Sequence, residues 1–248
     1  MYFNDIHILC YVAFAIIGGI IGQFIDYCNR CFLKEEKIFS KNSFSKYKRI
    51  MIPNYLLIFI TAIGYIALVY KFGLQKDMLQ NLDLIKYILL LPMLECAFVV
   101  DFKEQIIPNR LNLLMFEIGL IILFLHGFTN INISLNMLLG MVAGAGIFML
   151  ITLIGGLIAG KEAMGMGDVK LMGALGLYFG LQNIIVISVL SFLIGAIVSI
   201  VYMLVKRKNA NTYIPFGPFI VISAIITIFV PFSILFTILM EIFTLGMY

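Results

Sequence analysis

The sequence predicts an all-α, polytopic membrane protein with about eight transmembrane helices. Of its 248 residues, 62% are hydrophobic and only 12% are charged, whereas a soluble domain carries about 25% charged residues. The mean hydropathy is +1.08, and apolar runs of membrane-spanning length recur along the chain. A water-soluble fold of this length cannot bury so much apolar surface. The composition therefore excludes a soluble enzyme, a disordered protein and a nucleic-acid binder.

Eight apolar runs are candidates for membrane spans, because about 20 largely apolar residues cross the hydrocarbon core. The first run lacks the preceding positive charge of a signal peptide, so we expect it to remain as a span. The sixth run is the shortest, and its ends are the hardest to place. The runs cover residues 6–25, 53–70, 84–100, 113–128, 135–159, 171–182, 184–205 and 216–242.

The basic residues predict the orientation of these spans. Alternate loops hold seven, two, two and three of the 17 Lys and Arg residues. Basic loops stay in the cytoplasm, so we expect these four loops to face inward and both termini to face outward. An odd number of spans would break the alternation. The four loops are residues 26–52, 101–112, 160–170 and 206–215.

Two aspartates lie at the ends of apolar runs, on the predicted cytoplasmic side. Asp101 ends the third run, and Asp168 precedes the sixth. Ionisable groups at membrane depth are costly unless they face a protein interior or water. Two carboxylates that meet share a proton, so one can act as base on a water while the other polarises a carbonyl. The alternative is a pair of interfacial acids that cap helices in solvent, and position alone does not decide between the two.

Glycine and proline residues accompany these positions. Gly165 and Gly167 flank the approach to Asp168, where they allow unusual backbone angles and the close approach of another chain. A protease holds its substrate extended, and a strand-like contact with glycine backbone suits that task. A flexible loop before a helix is the alternative. The segment Ile214-Pro215-Phe216-Gly217-Pro218-Phe219 predicts either a rigid functional turn or an ordinary helix start before the last span.

In their order along the chain, these segments resemble the motifs of the type IV prepilin peptidase family, intramembrane aspartyl proteases of the Gly-x-Gly-Asp kind. Asp101 with Ile107-Pro108-Asn109 resembles the first catalytic segment, and residues 165–171 resemble the second. Residues 214–219 are similar to the signature before the last span. The resemblance implies that Asp101 and Asp168 are catalytic. It implies positioning or structural roles for Gly165, Gly167, Lys170, Pro108, Pro215, Gly217 and Pro218.

The resemblance implies a membrane-embedded endopeptidase that removes the short basic leader of type IV prepilins or pseudopilins. Cleavage would occur at the cytoplasmic face of the bacterial inner (plasma) membrane, just before the apolar N-terminal helix of the pilin. The partners would be these substrates and the lipid bilayer, with no nucleic acid, and proteolysis would need no cofactor. Residues 84–248 would form a six-span peptidase domain, and residues 1–83 a two-span region with the basic loop 26–52.

The N-terminal region carries a further likeness. Gly22, Phe24 and Arg30 match a family segment that is linked, in many members, with N-methylation of the cleaved pilin by S-adenosylmethionine. The resemblance therefore implies a methyltransferase-like part within residues 1–83. Many members also carry two Cys-x-x-Cys pairs suited to a tetrahedral zinc site. This chain has only the pair Cys28 and Cys31, so we expect no metal site.

Two other functions compete with this interpretation. The first is a preflagellin-type peptidase or another Gly-x-Gly-Asp intramembrane protease, and the proline-glycine segment 214–219 favours the prepilin branch over it. The second is a small ion-coupled transporter whose membrane acids bind a cation. A transporter would place its acids near the bilayer midplane, whereas both aspartates here are predicted at one face.

Overall fold

The structure, a computed structural model, describes residues 2–3, 6–33, 54–75, 78–159, 164–206 and 214–244. These residues are almost entirely helical. The chain divides into two compact units, residues 1–104 and 105–248. The boundary predicted from the sequence lies after residue 83, between the methyltransferase-like and peptidase regions. That functional division stays a prediction. The helices are α1 Ile8–Leu33, α2 Tyr55–Phe72, α3 Leu82–Glu104, α4 Asn109–Thr129, α5 Ile131–Ala159, α6 Met166–Lys206, α7 Gly217–Phe229 and α8 Phe232–Thr244.

In the first unit, α1, α2 and α3 pack together. A short antiparallel pair of strands, β1 Tyr2–Phe3 and β2 Ile6–His7, precedes α1 in the chain. A 3₁₀ turn, Met78–Asn81, leads into α3. Glycines let α1 approach α2 closely: a Cβ atom at Gly18 would lie 2.9 Å from the Cα of Ala62, and one at Gly22 would lie 2.8 Å from the Cα of Ile58. This is the small-residue packing that associates helices in a membrane.

Helix α1 is longer than the sequence predicts. The expected span ends at residue 25, but the helix continues to Leu33. Asp26 and Arg30 therefore lie on a helix and not in the predicted loop 26–52. Arg30 donates from Nε to Asp26 Oδ2 at 2.9 Å, an i,i+4 pair that supports this extension. The rest of that predicted loop, residues 34–53, lies outside the described residues.

A buried polar contact joins α2 to α3. The Thr61 hydroxyl lies 2.7 Å from the carbonyl oxygen of Leu57 and 2.6 Å from Oε2 of Glu95. Thr61 is fully buried, and Glu95 is 6% exposed. The hydroxyl has one hydrogen, so both contacts are satisfied together when Glu95 is the neutral acid and donates to Thr61. Neutral Glu95 is also the cheaper form at membrane depth.

Replacing Thr61 with Val is expected to lower the free energy of unfolding by about 1–2 kcal/mol, because it leaves the buried Glu95 side chain without its hydroxyl partner. Thermal unfolding in detergent micelles measures the change. Thr237→Val is the matched control, since the Thr237 hydroxyl is exposed and donates only to Ser233 O of its own helix. Equal melting temperatures for the two variants would contradict the assignment.

In the second unit, α6 reverses direction at Gly180. The backbone there has φ 72° and ψ 178°, values that are not helical. A Cβ atom at Gly144 of α5 would contact both Met172 O and Ile184 Cγ1. Twelve residues of one straight helix span about 18 Å, so Met172 and Ile184 meet Gly144 only if the chain folds back. Residues 166–179 and 181–206 are therefore two antiparallel arms, which separates the predicted sixth and seventh spans.

The reversal is held by a side chain from α5. Gly180 adopts a backbone conformation that is open almost only to glycine. The following N–H group, that of Leu181, donates to Oδ1 of Asn136 at 3.1 Å. A backbone donor freed by the turn is thus satisfied by a side chain of the protein itself, as the membrane requires.

Glycines also bring α5 and the first arm of α6 into backbone contact. A Cβ atom at Gly140 would lie 2.5 Å from Gly176 O, and one at Gly176 would overlap the Gly140 carbonyl. Tyr178 ties the same arm to α4, because its hydroxyl donates to Met115 O at 2.8 Å. The first arm is thereby enclosed, and residues 171–180 are all buried.

The last predicted span, residues 216–242, is two helices instead of one. Helix α7 ends at Phe229, and Val230 has an extended conformation before Pro231. Proline lacks the N–H that would continue the helix and disfavours the helical conformation of the residue before it. Helix α8 begins at Phe232, and its Leu235 and Leu239 pack against Val186 of α6.

Five of the described helices are long and apolar enough to cross a membrane. The chain is therefore an all-helical polytopic membrane protein apart from its short N-terminal strand pair. The five are α1, α2, α4, α5 and α6, and α3, α7 and α8 are not among them. The number of eight crossings and the outward termini stay predictions.

Candidate active site

Asp168 lies in the first turn of α6. Its backbone N–H donates to Gly165 O at 3.0 Å, so the Gly-Met-Gly segment folds directly into the helix start. The side chain is 5% exposed. Unsatisfied N–H groups give a helix start a partial positive charge, which favours a carboxylate there.

Gly167 is packed against the non-helical segment before α4. A Cβ atom at this position would lie 3.3 Å from Cβ of Ile107 and 3.6 Å from its backbone nitrogen and oxygen. Ile107 itself is 4% exposed. A larger residue at 167 would push α6 away from residue 107, so the glycine sets the position of Asp168.

Two side chains from the start of α4 hold the start of α6. Asn112 donates from Nδ2 to Gly167 O at 3.1 Å, and Asn109 Oδ1 accepts from Lys170 Nζ at 2.8 Å. Pro108 precedes the helix, and its carbonyl accepts from the N–H groups of Leu111 and Asn112. The predicted residues Gly167, Asp168, Lys170 and Pro108 are thus brought together in the second unit.

A groove of about 760 Å³ opens beside this cluster, between α4, α5 and α6. Its volume falls within the range of small-ligand pockets, about 300–1,000 Å³. Three polar residues, Asn109, Asn112 and Lys170, line it, and the rest of the lining is apolar. The apolar lining comes from Leu113, Phe116, Met141, Val142, Ala145, Val169, Gly173 and Ala174.

Sequence reasoning missed Asn112. It is 4% exposed, and its Oδ1 has no hydrogen-bond partner among the described residues. Because Gly167 O can only accept, the Asn112 atom that faces it must be the amide nitrogen, which leaves Oδ1 as the unused acceptor. No local pattern points to it, because Asn112 stands directly before the apolar run 113–128 with a second amide, Asn109, one helical turn earlier.

Asp101 lies one turn before the end of α3, in the first unit, and is 4% exposed. Its burial agrees with a carboxylate that faces protein instead of open solvent. The approach of Asp101 to Asp168, on which a shared proton depends, stays a prediction.

Residues 214–219 form the start of α7. Gly217 is the first helical residue, and Pro218 stands in the first turn, where its missing N–H costs nothing. The ring of Phe216 lies 4.9 Å from that of Phe192 on α6 and 6.0 Å from that of Phe148 on α5. Pro215 precedes this contact and is half-buried. Within the second unit, this segment anchors α7 on α5 and α6.

The three residues linked with methylation do not share a face of α1. Gly22 contacts the backbone of α2, whereas Phe24, two positions away, is 51% exposed. Two residues two positions apart in a helix point about 200° apart. Arg30 is paired with Asp26. The methyltransferase-like part of residues 1–83 and its use of S-adenosylmethionine stay predictions.

No cluster of three or more His, Cys, Asp or Glu side chains suited to a metal ion occurs within residues 6–33, 54–75, 78–159, 164–206 and 214–244. Cys28 and Cys31, the pair considered for zinc, are both free thiols on α1. The expectation of a chain without zinc stays a prediction, because most of the loop after α1 lies outside the described residues.

Comparison with known proteins points to one family. Residues 88–200 match the model of the Type IV leader peptidase family, and this segment contains both Asp101 and Asp168. A "Prepilin leader peptidase/N-methyltransferase" from Legionella pneumophila is 35% identical over 132 residues, which are 52% of this chain and 44% of the relative. Proteins of the same name come from Xanthomonas campestris and Escherichia coli.

The Xanthomonas protein is 29% identical over 73% of this chain and 60% of its own length. The Escherichia coli protein is 31% identical over 52% of this chain and 56% of its own length. The chain thus spans about half the length of the relatives it matches. No solved structure matches it. Through residues 88–200, the chain is similar to the type IV leader peptidase family.

Proposed function

We propose that this protein is a membrane-embedded aspartyl endopeptidase that cleaves the basic leader from type IV prepilins or pseudopilins. The observation that carries the proposal is the burial of Asp168 at a helix start held by Gly167, Asn112 and Lys170, within the segment that matches the leader peptidase family. Three relatives whose names describe prepilin leader peptidases support the substrate class.

Asp101 and Asp168 divide the chemistry between them in this proposal. The ionised carboxylate takes a proton from a water molecule, and the resulting hydroxide attacks the carbonyl carbon of the scissile peptide bond. The partner aspartate, protonated at the start, donates a hydrogen bond to the carbonyl oxygen. Collapse of the tetrahedral intermediate breaks the C–N bond, and the leaving nitrogen takes up the proton that the base had gained. The proton that the leaving nitrogen gains thus comes from the attacking water, and the base carries it from one to the other.

We place this chemistry at the cytoplasmic face of the bacterial inner membrane, in a chain that crosses it eight times with both termini outside. Support comes from the second unit, where α4, α5, the two arms of α6 and α7 alternate in direction. The start of α4, the end of α5, both outer ends of α6 and the start of α7 accordingly lie at one end of this unit. Three of the four predicted loops with Lys and Arg residues adjoin these helix ends in the sequence, and basic loops favour the cytoplasmic side.

The test is to reconstitute the purified full-length chain in lipid vesicles with a type IV prepilin and to follow the product by mass spectrometry. The expected product is a pilin that has lost the mass of its leader. Cleavage within the mature helix, or an intact prepilin beside a well-folded enzyme, would overturn the proposal. A preflagellin in a parallel reaction distinguishes the two branches of Gly-x-Gly-Asp proteases.

A further inference from the structure

The groove between α4, α5 and α6 lies on the side of α6 that faces away from Asp168. Four residues of α6 line it, namely Val169, Lys170, Gly173 and Ala174. At 3.6 residues per turn, these four positions point on average about 170° away from Asp168. A ligand in the groove therefore occupies a site separate from that of Asp168.

The body of the groove is apolar and opens at the surface of helices that can cross a membrane. Leu113 of α4 and Val142 of α5 line it and are 56% and 60% exposed. Helices α4, α5 and α6 are all long and apolar enough to span a bilayer. Gly173 and Ala174 deepen the groove, because their side chains are short. In a membrane, the acyl chains of the hydrocarbon core reach an apolar surface of this kind.

The polar end of the groove presents a positive charge and hydrogen-bond donors. Lys170 is exposed, and its Nζ donates to Asn109 Oδ1 at 2.8 Å. The ammonium group has two further hydrogens, and Asn109 keeps its Nδ2 group as a donor. No Asp or Glu is among the described residues that line the groove. The end therefore offers a cation and spare donors to a ligand.

The group that complements this end is a phosphodiester. It is negatively charged, and its oxygens accept hydrogen bonds without donating any. Hydrogen bonds from Lys to phosphate are among the strong ones in proteins, and basic pockets between membrane helices bind anionic headgroups. Phosphatidylcholine also carries a phosphate, but its own ammonium group cancels the charge. An apolar body with a cationic end thus matches an anionic phospholipid.

We propose that this groove binds one anionic phospholipid, with an acyl chain along its apolar body and the phosphate on Lys170 Nζ and Asn109 Nδ2. The phosphate would then contact α4 through Asn109 and α6 through Lys170, so the lipid joins the starts of these two helices. The site is independent of the proposed function, because it requires only a bilayer.

The proposal is tested with single tryptophans, since the chain has none of its own. Phe116→Trp places the reporter in the groove lining. Phe124→Trp is the matched control on the same helix, because Phe124 is 66% exposed and does not line the groove. The full-length protein is reconstituted in vesicles of equal parts phosphatidylglycerol and phosphatidylcholine. Bromine, which quenches tryptophan fluorescence, is carried by the acyl chains of one lipid or of the other.

The measured quantity is the quenching by brominated phosphatidylglycerol divided by that by brominated phosphatidylcholine. At position 116 we expect a ratio of about five, the preference that one lysine near a membrane surface gives to an anionic lipid. At position 124, which meets the bulk lipid, we expect a ratio of about one. Equal ratios at the two positions would overturn the proposal. Weak quenching by both lipids at 116 would also overturn it, because the groove would then be closed to acyl chains.

The role of the charge is tested in the Phe116→Trp background. Lys170→Gln should lower the ratio to about one, whereas Lys170→Arg keeps the charge and should keep the ratio. Lys103→Gln is the matched control, since Lys103 is an exposed lysine at the end of α3 that does not line the groove. Equal losses in the two glutamine variants, or a loss in Lys170→Arg, would overturn the assignment to Lys170.

Each ratio compares two lipids with one and the same variant, so differences in protein yield cancel. The measurement involves no proteolysis. A failure of the quenching pattern therefore leaves the proposed peptidase function untouched, and an absence of prepilin cleavage leaves the lipid site untouched.

Discussion

Asp168→Asn is expected to lower the rate of leader removal at least about 10³-fold, because the amide can neither take a proton from water nor donate one as an acid does. The substitution keeps the shape of the side chain, so the start of α6 and its contacts with Asn112 and Lys170 should persist. The rate is measured as the loss of leader mass from a prepilin in lipid vesicles. Retention of more than about a tenth of the wild-type rate would rule out an essential proton transfer at this residue.

Glu104→Gln is the matched control for that experiment. Glu104 is an exposed carboxylate at the end of α3, three residues after Asp101, and it should be dispensable. Asp101→Asn should resemble Asp168→Asn, since the mechanism uses both groups in one step. The double variant should be no slower than either single variant, because residues that act as a unit are not additive. Multiplied losses in the double variant would show that the two aspartates act separately.

Gly140→Ala is expected to lower the free energy of unfolding by about 3 kcal/mol, the upper part of the range for overpacked interiors. The added Cβ would lie 2.5 Å from Gly176 O and 2.6 Å from the carbonyl carbon of Gly180. Both neighbours are backbone atoms, which cannot turn aside as a flexible side chain can. The change is measured by thermal unfolding of the purified protein in detergent.

Gly146→Ala is the control on the same helix. A Cβ atom there would meet nothing within 4 Å. Alanine is a better helix former than glycine by about 1 kcal/mol, so this variant should be as stable as the wild type or slightly more stable. Similar melting temperatures for Gly140→Ala and Gly146→Ala would mean that α5 and α6 pack less closely than described.

The sequence predicts the helical membrane class because long apolar runs are visible in the residue order itself, without any knowledge of tertiary contacts. It predicts breaks in the helices less well. Pro231 stands in an uninterrupted apolar run, and proline within a membrane helix is often tolerated, so the division of residues 216–242 was not expected. The turn at Gly180 depends on its contact with Asn136, 44 residues earlier in the chain, and no local pattern shows such a contact.

In the candidate site, too, some residues could be found from the sequence and others could not. Asp168, Gly167 and Lys170 could be found from the sequence because they stand within one short motif. Asn112 could not, because its importance depends on the Gly167 carbonyl, 55 residues away in the chain. Gly22 was associated with methylation by resemblance, yet its contact with Ile58 explains the glycine by helix packing alone.

The reversal at Gly180 also bears on how the chain enters the membrane during synthesis. The first arm of α6, residues 166–179, is about 20 Å long, shorter than the hydrocarbon core of about 30 Å. Because protein encloses residues 171–180, the arm gains little from lipid until its neighbours are present. We expect it to insert together with the second arm, as a pair, after α5. The ribosome thus makes Asp168 before the second arm, and we expect the arm that carries it to reach its final position only once the second arm has been added.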